Sequence, residues 1–269
     1  MNSASACPPP WCADFAETAP FHHVASLAAR LAGGDWPKLQ RLNELAAAQH
    51  LVNGAALPLR FAAQRQRCGQ RDYEASILAR AEVPSRERNW HDLFNALTWL
   101  TFPRAKAALN VAQCTALVLP PERVTRGPRS DAATLFDESG LLLLGTSSEL
   151  AELLRARRWQ EAFVQHRALW AGARVYVFGH AVLEKLLRPW PGITGKCLFL
   201  AVDDLPDPGL PAAWLDAALA EVWTSAEIRC PADLFPLPLL GIPGWWPANA
   251  DAAFYQDARV FRPGAAGAV

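Results

Sequence analysis

The sequence has no excess of either charge. Its 26 basic and 26 acidic residues leave a formal net charge of +0, so no global field draws the chain to nucleic acid or to an anionic membrane. Long apolar runs are missing as well. A membrane span needs roughly 20 consecutive apolar residues, whereas the longest stretch here, around 237–246, is broken by Pro238, Pro243 and two glycines. A soluble protein is expected, with no membrane partner and no strong nucleic-acid signal; the partner is left open, a small-molecule substrate being one candidate. The six cysteines (Cys7, Cys12, Cys68, Cys114, Cys197 and Cys230) contain no CxxC pair, which argues against a structural zinc site. The first ten residues are small, polar and proline-rich, without a basic stretch leading into an apolar one. They do not read as a secretory signal, and a reducing cytoplasm is the expected compartment. Also absent are GxGxxG, a P-loop, a GxSxG elbow and HExxH, so phosphate-cradling and serine-elbow chemistries are disfavoured. Lysine is scarce, occurring only at Lys38, Lys106, Lys185 and Lys196 in an arginine-rich chain.

What is present suffices for a large core: 269 residues, 51% hydrophobic, are compatible with one domain. Residues 1–20 and 264–269 read as tails, because Pro, Gly and Ala dominate there, and 21–263 as one domain. Helices are expected over 36–49, 90–100, 103–113, from 149, from 180 to 188 and over 211–224, from apolar spacing, capping residues and first-turn prolines. A further helix is expected to run through Trp170. Strands are expected at 59–63, 73–78, 174–178 and 197–202. Two apolar runs around Asp137-Glu138-Ser139-Gly140 predict a β-hairpin over 134–144. The segment 231–263 is expected to be irregular. The strands and helices do not keep a βαβ rhythm, so the expected class is α+β: several helices packed on a small mixed sheet, with a long irregular C-terminal segment. The eleven tryptophans are expected mainly in the core.

Several stretches resemble a known family. They are Asn89-Trp90-His91-Asp92-Leu93-Phe94-Asn95, Phe102-Pro103-Arg104-Ala105-Lys106, Leu135-Phe136-Asp137-Glu138-Ser139-Gly140, Phe178-Gly179-His180-Ala181-Val182-Leu183-Glu184-Lys185 and the block from Pro238 to Trp245. In these the chain resembles the proteobacterial proteins grouped as domain-of-unknown-function family 3025, over roughly 36–263. The resemblance implies no activity. The family pattern places a histidine shortly after Asn110, where this chain has Val111, Ala112, Gln113 and Cys114.

Helical spacing puts His91, Asn95 and Thr98 within about 60° of one another, with Asp92 nearby, while Leu93, Phe94, Leu97 and Leu100 share the other face. Short polar side chains in place of Lys, Glu and Arg suit a pocket wall or a buried hydrogen-bond network. The alternative is that Asn89 caps the helix and His91 and Asn95 bond nearby backbone. His180 opens a helix after a glycine, with Glu184 one turn on and close enough to bond it, a spacing that serves metal binding, acid/base work or a structural hydrogen bond. Lys185 and Arg188 read as solvated charges. Asp137 and Glu138 read as turn residues that complete a site only if the hairpin approaches both histidines. His22, His23, His50 and His166 read as surface residues.

Two functions follow. One is a hydrolase or related acid/base enzyme, with or without a metal, using His91, Asn95, Asp92, Asp137, His180 and Glu184; the sequence specifies no cofactor and no metal. The other is a binding or assembly protein that uses the exposed aromatic surface of the Trp- and Pro-rich C-terminal segment.

Overall fold

The strongest local signals lie at the two helices in the middle of the chain. Asn89 is extended and its side chain accepts the Asp92 backbone N–H at 3.0 Å, which satisfies an N-terminal donor and starts helix α4 at Trp90–Thr101. Phe102 leaves the helical region (φ −128°, ψ 60°), and Pro103, tolerated only in a first turn, opens α5, Pro103–Cys114. The bent pair expected from the sequence is therefore present.

The computed structural model describes residues 11–64, 69–114, 127–207, 209, 211, 213–225 and 227–264. Before α4 come α1 (Ala25–Leu31), α2 (Leu39–Ala48), β1 (Arg60–Ala63), α3 (Gln70–Arg80) and β2 (Glu82–Ser85). Strands β1 and β2 pair in parallel, with α3 between them in the chain. After α5 come α6 (Pro128–Ser139), β3 (Gly140–Gly145), α7 (Glu149–Arg155), β4 (Ala173–Val177), α8 (His180–Leu186), β5 (Thr194–Ala201), α9 (Ala213–Thr224) and β6 (Phe235–Pro238). The second sheet runs β4-β3-β5-β6 and is mixed, β3 pairing in parallel with β5 and antiparallel with β4. This is the α+β arrangement expected.

Strand β3 divides the core. Alternate side chains point to opposite faces, so Leu141 and Leu143 join one apolar cluster, with Phe94, Leu97 and Val182, while Leu142 and Leu144 join a second, with Phe102, Phe136 and Trp223. All six residues of β3 are buried, which is why its composition is continuously apolar and not alternating.

Five expectations are corrected. The hairpin over 134–144 is the end of α6 followed directly by β3. The Asp-Glu-Ser-Gly string is a helix terminus, in which Ser139 Oγ donates to the Leu135 carbonyl at 2.8 Å. The strand expected at 73–78 is part of α3. The tail expected over 1–20 is, from Trp11 on, packed on the core: Phe15 meets Trp90 and Phe94 edge-on at 5.4 and 5.3 Å between ring centroids. His23 is buried, not at the surface. The segment around Trp170 forms short π and 3-10 turns in place of a regular helix. The tails over 1–10 and 265–269, with Cys7 and Cys68, lie outside the described residues.

One joint positions everything that follows. The Gly140 carbonyl accepts the N–H groups of both Phe178 and Gly179 at 2.9 Å, clamping the α6–β3 connection against the β4–α8 connection. A Cβ on Gly179 would stand 2.5 Å from the Gly140 nitrogen and from the Ser139 Cα. These are backbone atoms and cannot swing aside. Gly179→Ala is therefore expected to lower the urea midpoint by an amount equivalent to about 2–3 kcal/mol at unchanged slope. Gly33→Ala, where a Cβ meets nothing within 4 Å, is expected to shift stability by less than about 1 kcal/mol.

Candidate metal centre

The glycine joint sets the end of α6 beside the start of α8, and α4 packs along α8. Three sequence-distant stretches thereby meet. His91 on α4 approaches His180 with their Nε2 atoms 3.1 Å apart and ring centroids 4.4 Å apart. Glu138, from α6, brings Oε1 to 3.8 Å from His180 Nε2. One ligand atom from each of His91, Glu138 and His180 lies within 4.8 Å of the other two. Two nitrogens bound at about 2.0–2.1 Å to one tetrahedral ion stand about 3.3 Å apart, so the 3.1 Å spacing is compatible with one shared ion as well as with an N–H···N hydrogen bond.

Each histidine is backed by an acidic residue on its other nitrogen. His91 Nδ1 lies 3.1 Å from Glu184 Oε2. His180 Nδ1 faces Asp137, whose Oδ2 is 4.0 Å away, and among the described residues it has no hydrogen-bond partner. Glu184 thus serves His91 on the neighbouring helix and not His180 one turn before it, as the spacing had led us to expect. At His91 this is the carboxylate-behind-imidazole arrangement that fixes tautomer and ring direction around metals; at His180 the carboxylate stands beyond hydrogen-bond distance.

Behind this cluster lies a buried polar chain, of which the sequence-based site held Asn95 and Asp137 but not Lys106, Tyr73 or Glu74. Lys106 Nζ donates to Asp137 Oδ1 at 2.5 Å and to Asn95 Oδ1 at 2.8 Å, with the two charged side chains only 5% and 8% exposed. Asn95 Nδ2 donates to the Tyr73 hydroxyl at 2.9 Å. Deeper still, Glu74 accepts from Asn110 Nδ2 at 2.8 Å, and Gln113, with its amide nitrogen turned inward, reaches Glu74 Oε2 at 3.0 Å. The residues standing where the family pattern places a histidine therefore include one at this inner end, beside Glu74. Only the scarcity of lysine hinted at Lys106; nothing in the local pattern hinted at Glu74.

Electrostatics grade from mouth to interior. Burial works against a charged His91, but the hydrogen bond to Glu184 and the charge of Glu138 outweigh it and hold the ring above its ordinary value. His180 is pushed down to about 3 by burial, which Asp137 opposes and Lys106 and His91 reinforce, so its ring is neutral. Asp137 is held below the usual carboxylate range: burial pushes it up, but the charge of Lys106 and the hydrogen bond from it outweigh that. Glu138 is raised by burial and by Asp137. Glu74, raised by burial and the charge of Asp137 against Lys106 and Asn110, reaches about 7.

Of the residues singled out from sequence, His91, His180, Asp137, Glu184 and Asn95 come together here. Asp92 does not: both of its oxygens accept from the Arg86 guanidinium at 2.8 Å. Thr98, expected on the same stripe, is spent on the backbone, near the Phe94 and Phe178 carbonyls at 2.9 and 3.3 Å.

Two variants probe the buried chain. Lys106→Met strands the Asp137 carboxylate and is expected to cost about 3–5 kcal/mol in a denaturant titration at neutral pH. Glu74→Gln tests the proton held in the interior. Its folded pKa of about 7 lies above the ordinary 4.5, so the native protein takes up a proton on folding between those values. Its contribution to stability is full below pH 4.5 and is lost as pH rises through about 7. Relative to the parent, Glu74→Gln should gain stability across that window by on the order of 2 kcal/mol, read from melting curves at stepped pH. Parallel curves would show that Glu74 is ionised throughout.

No curated protein and no solved structure is similar to the chain. Among the described residues no helix is long and apolar enough to cross a membrane. The family model described as protein of unknown function (DUF3025) matches residues 59–265, and with them every residue of the cluster. On that match, which takes in both histidines, their carboxylates and the buried chain behind them, the protein belongs to the DUF3025 family.

Proposed function

We propose that the protein is a metal-dependent hydrolase in which His91, His180 and Glu138 hold one divalent cation of the zinc type. One observation carries this reading: the acceptors lie behind the rings, so the lone pairs converge in front. If His91 donates from Nδ1 to Glu184, and His180 directs its Nδ1–H toward Asp137, both Nε2 atoms present lone pairs to each other at 3.1 Å. Two lone pairs at that distance repel unless a proton or a cation lies between them. The carboxylate of Glu138 at the same point favours a cation with charge to share.

Three protein ligands leave a position for water, whose pKa a zinc-type ion lowers to about 7. The chain's own groups do the rest. Glu184 holds His91 in the ligating tautomer, Asp137 orients His180, and Lys106 with Asn95 keeps Asp137 ionised and in place. The mouth is open to solvent, with the side chains of Glu138, Glu184 and His91 41%, 39% and 29% exposed, so a small-molecule substrate can reach it. The assembly reading is less well supported, because Trp245 and Trp246 pack against the core and are half-buried.

The expected result is about one equivalent of zinc, manganese or iron in the purified protein by elemental analysis, lost in His180→Ala and in Glu138→Gln. Affinity for added Zn²⁺ should fall as pH drops through the raised pKa of His91, since proton and metal compete for its Nε2. Hydrolysis of p-nitrophenyl acetate or bis(p-nitrophenyl) phosphate should require the metal and stop with chelator. A protein that takes up Zn²⁺ no better than His180→Ala overturns the metal centre. A metal-loaded protein inactive on both ester classes overturns the hydrolase.

A further inference from the structure

The buried carboxyl group at the inner end of the polar chain has neighbours that suit it only as an acid. Two amide nitrogens converge on one of its oxygens: Asn110 Nδ2 lies 2.8 Å from Glu74 Oε2, and Gln113, with its nitrogen turned inward, lies 3.0 Å from the same atom. Oε2 is thereby the accepting, carbonyl-type oxygen, and a proton belongs on Oε1. Asn110 offers the acceptor for it. Its Oδ1 is buried without a hydrogen-bond partner among the described residues. The amide is held from turning over, because Nδ2 also donates to the Glu74 backbone carbonyl at 3.1 Å. A neutral acid accepts and donates at once, and so matches an amide that gives one N–H and has a bare carbonyl left. A carboxylate has only lone pairs to turn toward Oδ1.

The cation whose charge reaches Glu74 is on the same helix as Asn110. Lys106 and Asn110 are one turn apart on α5, and both are buried. The Lys106 ammonium group donates to Asp137 and Asn95 and has a third N–H to give. While Glu74 is neutral, Lys106 serves Asp137 alone. An ionised Glu74 would be a second buried carboxylate competing for that ammonium group, with Asp137 and Glu138 on α6 repelling it. Cys114 on α5 and Tyr73 on α3 are the other titratable groups it meets. Both are held protonated, raised by burial and then by the charge of Glu74. Strand β2, also packed on α3, gives Glu82 to Arg60 and Arg80.

We propose that Glu74 is a proton-operated latch between α3 and α5. As an acid it donates its proton in a hydrogen bond to Asn110 Oδ1 and leaves Lys106 to Asp137. When that proton goes to solvent, the carboxylate repels Asn110 Oδ1, draws on Lys106 and loosens α3. The strain then reaches Asn95 from two sides, because Tyr73, next to Glu74 on α3, accepts from Asn95, and Asn95 accepts from Lys106. The support of Asp137 behind His180 is thereby tied to pH. The latch is made of the chain's own side chains and needs no bound ion.

The test uses the full chain treated with chelator, so that its outcome does not depend on the hydrolase reading. Glu74→Gln is the locked form: its amide N–H takes the place of the acid O–H, and its carbonyl accepts from Asn110 and Gln113. The infrared spectrum of the parent minus that of the variant, at about pH 6, is expected to contain the band of a hydrogen-bonded carboxylic acid. That band should disappear as pH rises through about 7. The Lys106 Nζ resonance should titrate with the same midpoint in the parent and stay flat in the variant. Amide exchange in α3 of the parent, relative to Glu74→Gln at the same pH, should rise between about pH 5 and 7 and stay about tenfold or more faster above that, with α7 unchanged. The proposal is overturned if the difference spectrum holds no acid band or that of an acid without a hydrogen-bond partner. It is equally overturned if the Lys106 resonance titrates alike in both proteins, or if α3 exchanges alike in both at every pH.

Discussion

The buried ion pair between Lys106 and Asp137 is the contact on which the polar centre depends. It ties α5 to α6 across 2.5 Å in an interior that excludes water. Through the same ammonium group it holds Asn95 on α4, and through Asn95 it reaches Tyr73 on α3. A buried pair of this kind contributes little net stability compared with apolar packing, but breaking one half is costly. Its value here is geometric and electrostatic. With Asp137 kept ionised, the acceptor behind His180 is fixed. With Lys106 positive nearby, an imidazolium at His180 is disfavoured, which leaves that ring free to act as a ligand.

Much of this architecture was legible in the chain and some was not, for physical reasons. Helices α4, α5 and α8 announce themselves through Asn89 as a cap, Pro103 in a first turn and Gly179 before His180. The convergence of His91 and His180 was open until the fold placed α4 along α8. The hairpin misreading at 134–144 arose because Asp, Ser and Gly end helices for the same reasons they form turns: short side chains that bond local backbone, and a residue with no Cβ. Gly140 has to be glycine because a Cβ there would lie 2.3 Å from the Phe136 carbonyl oxygen. That contact is local, four residues back at the end of α6, where the Gly140 N–H bonds the same Phe136 carbonyl; glycine is common both at helix ends and in turns, so its presence alone does not separate the two. The 73–78 segment alternates like a strand, but α3 turns Glu74 inward to meet Asn110. Lysines are seldom buried without a partner, and the partner of Lys106 is Asp137, 31 residues on, which no local pattern around Lys106 points to.

Asp92 shows the limit of reading a helical face as a unit. It shares the first turn of α4 with His91, yet the preceding loop supplies Arg86, whose guanidinium captures both carboxylate oxygens. The partner lies six residues upstream, where helical spacing does not reach. Glu184 shows the opposite case. It was tied to His180 by spacing within α8, and the packing of α4 gave it His91 instead. The second outcome follows from α8 lying against α4, the first from the loop that leads into α4.

Charge balance then decides where a cation belongs. The inner half of the chain closes on itself, because Lys106 offsets Asp137, burial keeps His180 neutral, and Glu74 holds its proton up to about pH 7. No further charge is called for there, and an added one would be repelled or left without solvation. The outer half is different. Glu138 and Glu184 set two carboxylates around the His91 and His180 nitrogens, against at most one imidazolium, and they do so at the solvent-facing side. A divalent ion bound at the two Nε2 atoms would replace that proton and offset both carboxylates, while giving up little of its own access to water. On the proposed reading, the gradient from a neutral interior to a mouth with two carboxylates would favour a cation at the point where the His91 and His180 Nε2 atoms and the Glu138 carboxylate lie together.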